Sequence, residues 1–236
     1  MADARVIGKL LVANRGEIAA RVIRTAHALG IATVAVYSDP DAGAPYFTLA
    51  DEAIRLPGAA PADTYLRGEA IIAAAARTAA DAVHPGYGFL SENATFARAC
   101  ADAGLIFIGP APGTIEAMGD KVAAKVMMAE AGVPVLPFAT ESDHAADIGF
   151  PLLVKAAFGG GGRGMRLVTG PAGLAEAVSA ARREAAAAFG DGTVFLERYI
   201  PDPRHVEVQI LGDAHGNMVH LFERECSIQR RYQKIV

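Results

Sequence analysis

Residues 9–37 read KLLVANRGEIAARVIRTAHALGIATVAVY, and the period of their apolar positions decides the fold class. The run 9–14 is a short apolar strand. Ile18, Val22, Ala26 and Leu29 then recur at the spacing of one helix face, and Gly30 supplies a C-terminal stop. Residues 31–37 form a second apolar strand. Strand, helix and strand within about 30 residues is the size of a parallel crossover unit. Outward from this unit the alternation persists. Residues 53–56 predict a brief strand, 68–80 a helix and 81–84 a strand. A helix capped by Ser91 and ending near Gly104 follows, then a strand at 105–109. Alternation of this kind implies an α/β fold, a parallel sheet covered by helices.

A break falls at 110–113. Asp120 then reads as the N-cap of a helix running to Ala131, stopped by Gly132 with Pro134 behind it. From Pro151 the texture changes to short strands punctuated by glycines, with one alanine-rich helix at about 171–189. Strands are expected at 194–199, 206–212 and 218–223, the last two joined by a hairpin loop at 213–217. The chain stops at Val236 straight after a polar cluster, which raises the expectation that the remainder of a larger fold is missing.

The chain has 236 residues, 52% hydrophobic and 20% charged, with a net charge of −4. That is globular and not disordered. The mild acidity argues against a chain that coats nucleic acid or an anionic membrane. No stretch approaches the roughly 18–20 uncharged residues of a membrane helix, and residues 1–9 do not resemble a secretory signal. Cys100 and Cys226 give neither a disulfide framework nor a metal-ligand spacing, so a cytoplasmic, reducing location is expected.

The first turn, Asn14-Arg15-Gly16-Glu17, sits where a dinucleotide-binding fold places its glycine-rich loop. It has one glycine where close approach to a pyrophosphate asks for three, and Glu17 would repel phosphates. A tight strand-to-helix turn explains it better. The four consecutive glycines from Gly159 to Gly162, flanked by Phe158 and Arg163, are the strongest local signal. They strip side chains from a loop, so backbone N–H groups can close on an anion. A linker or hairpin tip is the competing explanation, although the flanks are apolar and basic. The signature GxxxxGK[ST] does not occur.

Lys155 lies in an otherwise apolar strand just before the glycine run, where an ammonium must pair or snorkel. An edge strand is the competing explanation. Lys121 falls in the first turn of the helix capped by Asp120, opposing the helix dipole by roughly 0.3–1 kcal/mol unless an anion binds there. The two lysines and the glycine run together make a nucleoside triphosphate a specific proposal. In 205–210, Val206, Val208 and Ile210 alternate with His205, Glu207 and Gln209, which alone describes a solvated sheet face. Glu197 upstream and the tail from Glu223 to Lys234 are expected to bring carboxylates and cations onto adjacent strands of the same small sheet, suited to a phosphorylated, acidic intermediate. A nucleic-acid patch at Arg230, Arg231 and Lys234 is a minor alternative against the overall acidity. The six histidines form no metal-ligand constellation.

Eight strings in order, KLLVANRGEIAARVIR, HPGYGFLSEN, FIGP, MGDK, LVKAAFGGGGRGMR, LERYI, PRHVEVQI and ERECSIQRRYQK, resemble the biotin carboxylase family of the ATP-grasp superfamily. The similarity runs from about Lys9 to Val236 and looks like the N-terminal part of the biotin carboxylase subunit of an acyl-CoA carboxylase. It implies a Rossmann-like N-terminal domain at 1–113 and an incomplete ATP-grasp domain at 114–236, with a lid at about 133–203 and the start of a second lobe at 204–236.

The resemblance also implies an ATP-dependent ligase. Bicarbonate is phosphorylated to carboxyphosphate, which delivers carbon dioxide to biotin on a carrier domain. By matching motif, Lys121 and Lys155 hold ATP phosphates, and Gly161 and Gly162 supply amides to them. Glu197, Arg198, Tyr199 and Ile200 contact adenine, His205 lies near the ribose, and Tyr232 is on the nucleotide side. Lys234 binds bicarbonate, Gln229 and Glu207 orient neighbours, and Tyr87 and Gly88, within 84–88, border the biotin pocket.

The implied partners are a biotin carboxyl carrier domain, a carboxyltransferase component and, in the full-length parent, a second copy as a homodimer; nucleic acid and membrane are not among them. The sequence departs from the family in Phe158, where small residues are usual, and in a short segment at 134–150. The family's magnesium ligands are expected beyond Val236, so little ATP turnover is expected of 1–236 alone. A non-catalytic ATP-binding or assembly module, or another ATP-grasp ligase such as a carbamoyl-phosphate synthetase relative, stays open.

Overall fold

The computed structural model describes residues 6–140, 142–159, 165–213, 215–230 and 233–234, without the side chains of Asp143, Phe189, Gln233 and Lys234. The chain divides into two units, Met1–Met118 and Gly119–Val236.

In the first unit the deciding stretch forms β1 (Lys9–Val12), α1 (Gly16–Ala28) and β2 (Ala32–Tyr37). After them come β3 (Glu52–Arg55), α2 (Gly68–Thr78), β4 (Ala82–His84), α3 (Ala94–Asp102), β5 (Ile106–Phe107) and α4 (Pro112–Gly119). The five strands are parallel in the order β3-β2-β1-β4-β5. Successive residues of a strand face opposite sides, and here both sides are buried. Leu11, Val34, Val36 and Val83 join Ile71, Phe96 and Cys100 in one core. Leu10, Val12, Ala35 and Ala82 join Ala19, Ile23 and Ala26 of α1 in the other. The strands therefore read as continuous apolar runs.

The fold corrects two expectations. The buried stripe of α1 is Ala19, Ile23 and Ala26, whereas Leu29 is 71% exposed. Ile18, Val22 and Leu29 instead line an apolar groove of about 390 Å³ with Ile7, Ile31 and Ile108. The cap of α3 is Asn93, whose Oδ1 accepts the Phe96 N–H at 2.8 Å, and not Ser91. Both residues are competent caps, and the chain after Ser91 is still in a turn.

The second unit opens with α5 (Lys121–Glu130), where Asp120 Oδ1 accepts the N–H groups of Val122 and Ala123 as expected. Next come β6 (Phe138–Ala139), α6 (Ala145–Ile148), β7 (Leu152–Ala156), β8 (Arg166–Val168), α7 (Leu174–Phe189) and β9 (Val194–Arg198). Their sheet is antiparallel, in the order β6-β9-β7-β8. Leu152, Val154, Val194 and Leu196 pack with Val168 and Ala181 into its core. The chain continues through the hairpin β10 (Val206–Gly212) and β11 (Met218–Glu225) to a short pair, β12 (Gln229–Arg230) and β13 (Gln233–Lys234).

The strict alternation expected for β10 is broken by a register shift between Val208 and Ile210. Val206, Val208 and Ile210 are all about half exposed. Among the described residues no helix is long and apolar enough to cross a membrane.

Candidate functional site

In the first unit the sheet order reverses between β1 and β4, whose neighbouring ends run on into the Asn14–Glu17 turn and the loop after His84. Crevices of this kind, at the carboxyl ends of strands where the order reverses, are where open parallel sheets bind ligands. Asn14 is 3% exposed and ties the two segments together. Its Nδ2 donates to the carbonyls of Pro85 at 2.7 Å and Tyr87 at 2.8 Å, and its Oδ1 accepts the Arg15 N–H.

Gly86 must be a glycine, because φ is +67° and a Cβ would stand 2.6 Å from Asn14 Nδ2. The Tyr87 hydroxyl donates to Glu17, and that hydrogen bond raises the tyrosine pKa. His84 Nδ1 accepts the Gly86 N–H at 3.0 Å, and burial lowers its pKa, so a neutral ring carries its proton at Nε2. Tyr87 is 61% exposed and projects a phenol from a loop whose backbone is fixed behind it.

In the second unit Lys121 stands at the first turn of α5, where its backbone N–H bonds Ala157 O at 3.2 Å. Its Nζ donates to Ala157 O and to Gly159 O, the carbonyl that opens the glycine run. Lys121, a cation at a helix N-terminus, thus meets the end of the strand that carries Lys155.

Register explains the companion cluster. On the antiparallel pair, Leu153 lies opposite Glu197 and Lys155 opposite Phe195, so Lys155 and Glu197 are diagonal neighbours on one face. Glu197 is 7% exposed. One carboxylate oxygen is 2.7 Å from Lys155 Nζ and the other 2.7 Å from Lys125 Nζ. Burial is the largest influence on Glu197 and raises its pKa, but the hydrogen bonds and charges of the two lysines outweigh it, and the net shift is downward. The ammonium groups also lie over the Phe138 ring (Lys125, 5.2 Å) and the Phe195 ring (Lys155, 5.7 Å).

The other site residues expected from sequence are dispersed over three sheets and not one small sheet. Glu197 and Arg198 are on β9 of the four-stranded sheet, with Tyr199 and Ile200 just beyond it. Arg198 turns back to donate to Ile148 O at 2.6 Å. His205 precedes the hairpin, and Gln229 begins the β12–β13 pair. Side chains nevertheless bring part of this group together. Gln229 Nε2 lies 2.8 Å from His205 Nδ1, His205 Nε2 lies 3.8 Å from Glu207, and Glu207 pairs with Arg224. Lys234 pairs with Gln229 through backbone register. Gly161, Gly162 and Tyr232, and the side chain of Lys234, lie outside the described residues.

Sequence alone missed two residues. Lys125 carried a signal, since it stands four residues after Lys121 on the same helix face. Asn14 carried none, because its partners are 71 and 73 residues away.

Known proteins share both units. Residues 6–115 match the family model described as biotin carboxylase, N-terminal domain. Residues 120–236 match the model described as carbamoyl-phosphate synthase L chain, ATP binding domain. The chain is 56% identical to the mitochondrial methylcrotonoyl-CoA carboxylase subunit alpha of Oryza sativa over 98% of its own length and 32% of that protein's. It is 50% identical to the biotin carboxylase of Halalkalibacterium halodurans, covering 97% of this chain and 52% of that one. A solved biotin carboxylase complex from Campylobacter jejuni superposes with a TM-score of 0.94 at 47% identity, over 97% of this chain and 53% of that chain. The chain therefore spans about a third to a half of these relatives. It belongs to the biotin carboxylase family and carries that family's N-terminal domain followed by an ATP-binding domain.

Proposed function

We propose that the chain supplies the nucleotide-binding part of a biotin carboxylase, the component of an acyl-CoA carboxylase that carboxylates biotin on a carrier domain. In this reading 1–113 is the N-terminal domain. Residues 114–236 belong to an ATP-grasp domain with its lid at about 133–203. The γ-phosphoryl group of ATP passes to a bicarbonate oxygen, giving ADP and carboxyphosphate. Loss of phosphate then releases carbon dioxide beside the ureido nitrogen of biotin.

The observation that carries this reading is the meeting of Lys121 with the carbonyls of Ala157 and Gly159. It brings a helix N-terminus, a cation and a backbone without side chains to the end of the strand that bears Lys155. That combination suits a polyanion, whose phosphates would take the place of the carbonyls as partners of the ammonium. Lys155 supplies a second charge to the phosphates, and Gly161 and Gly162 supply amides to them. Glu197, Arg198, Tyr199 and Ile200 present backbone to adenine, with His205 and Tyr232 beside the sugar. Lys234 takes bicarbonate, with Gln229 and Glu207 fixing the neighbouring side chains. Tyr87 and Gly88 border biotin on the loop that Asn14 holds.

Among the described residues no group of three His, Cys, Asp or Glu side chains could hold a metal ion. In this reading ATP is bound with Mg2+, and Lys121 and Lys155 add the protein's own positive charge beside the phosphates. A carrier domain, a carboxyltransferase and a second copy are the partners, and the free thiols of Cys100 and Cys226 suit a reducing cytoplasm.

Calorimetric titration tests the reading. The chain should bind ATP and should not bind a nicotinamide dinucleotide. Failure to bind ATP at millimolar concentration would overturn it. The description of the second family model favours one competing reading, a carbamoyl-phosphate-forming ligase. Labelled bicarbonate given to the full-length gene product with ATP should enter carboxybiotin when free biotin is the acceptor, and not carbamoyl phosphate when ammonia is.

A further inference from the structure

Glu197 is a carboxylate almost wholly withdrawn from water, and its two oxygens are each held by a different lysine at 2.7 Å. A single cation would satisfy the charge. Breaking a buried pair by removing its only partner strongly destabilises a protein, because an uncompensated charge remains. The duplication has a use if one of the two lysines must leave. Lys155 sits on β7 next to the glycine run, whereas Lys125 is one turn into α5, its ammonium also 3.4 Å from Leu136 O and over the Phe138 ring. Lys125 and Lys155 are 17% and 24% exposed, so Lys155 is the more open of the pair.

We propose that Lys125 is a positioning residue for nucleotide binding: it keeps the buried Glu197 carboxylate neutralised when Lys155 swings from Glu197 to a nucleotide phosphate. This rests on the reading that Lys155 meets phosphate. Without Lys125, every move of Lys155 toward the nucleotide strips Glu197 of its remaining lysine, and phosphate binding bears that cost. A phosphate-free nucleoside makes no such demand on Lys155. Lys125 therefore separates the affinity for phosphates from the affinity for the base, which no merely structural role would do.

The test is calorimetric titration of the 236-residue chain with ATP and with adenosine. In Lys125→Met the ATP dissociation constant rises about tenfold and the adenosine constant stays within about twofold. Lys125→Arg keeps a cation at this position and restores ATP affinity to within about threefold. Lys125→Met/Glu197→Gln has no carboxylate left to neutralise and recovers most of the loss, even if Lys125→Met alone is less stable. Lys155→Met loses ATP affinity selectively. If Lys155→Met does so but Lys125→Met binds ATP like wild type, or loses ATP and adenosine equally, the proposal is overturned and the phosphate reading stands. If Lys155→Met keeps full ATP affinity, the phosphate reading falls and takes the proposal with it.

Discussion

The loop around Gly86 in the first unit and the lysine pair around Glu197 in the second hold their residues by opposite means. Asn14 is neutral and buried, and one amide group serves two backbone carbonyls of the loop at once. Nothing there can be exchanged. Glu197 is charged, and each of its two oxygens is held by a different ammonium group. The first arrangement fixes a shape, and the second keeps a cation in reserve. Damage to the loop should therefore appear as lost stability, and damage to the lysine pair as lost ligand affinity.

The sharpest way to break this contrast is Gly86→Ala. The added Cβ meets buried Asn14 and imposes a side chain on a left-handed backbone, so a loss of about 3 kcal/mol is expected. Denaturant titration should show a lower midpoint with an unchanged slope. Asn14→Ala comes next, at about 2 kcal/mol, since two carbonyls lose their donor. Lys155→Met should cost under about 1 kcal/mol of stability despite removing one half of a buried ion pair, because Lys125 still neutralises Glu197. A loss of several kcal/mol in that variant would show that Lys125 alone does not neutralise Glu197.

The smallest effect concerns pH. Burial lowers the His84 pKa from the ordinary value of 6.5, so the folded loop prefers the neutral ring. The stability this provides is fully present above pH 6.5 and is lost as pH falls toward the lower folded-state value. His84→Gln should flatten that slope in unfolding midpoints measured at successive pH values.

The alternation of apolar strand and helix in 9–109 made the parallel sheet legible, because both faces of each strand are buried and the chain must show it. Asp120 was equally legible, since an N-cap is a local event. The rotation of the α1 stripe was not. Ile18, Val22 and Leu29 fit a helical period as well as Ala19, Ile23 and Ala26 do, and only packing against β1 and β2 chooses between them. The bulge in β10 escaped for a similar reason, as it is set by pairing with β11.

At the site, Lys121 and Lys155 stood out by violating local preference, one against a helix dipole and one inside an apolar strand. The pairing of Lys155 with Glu197 depends on antiparallel register across 42 residues, which no local pattern carries.

The most direct measurement for the whole account is the ATP affinity of the double variant Lys121→Met/Lys155→Met. The two-cation site predicts a loss of at least about 100-fold, roughly 2.7 kcal/mol, with adenosine affinity little changed. An ATP dissociation constant equal to that of the wild-type chain would contradict it.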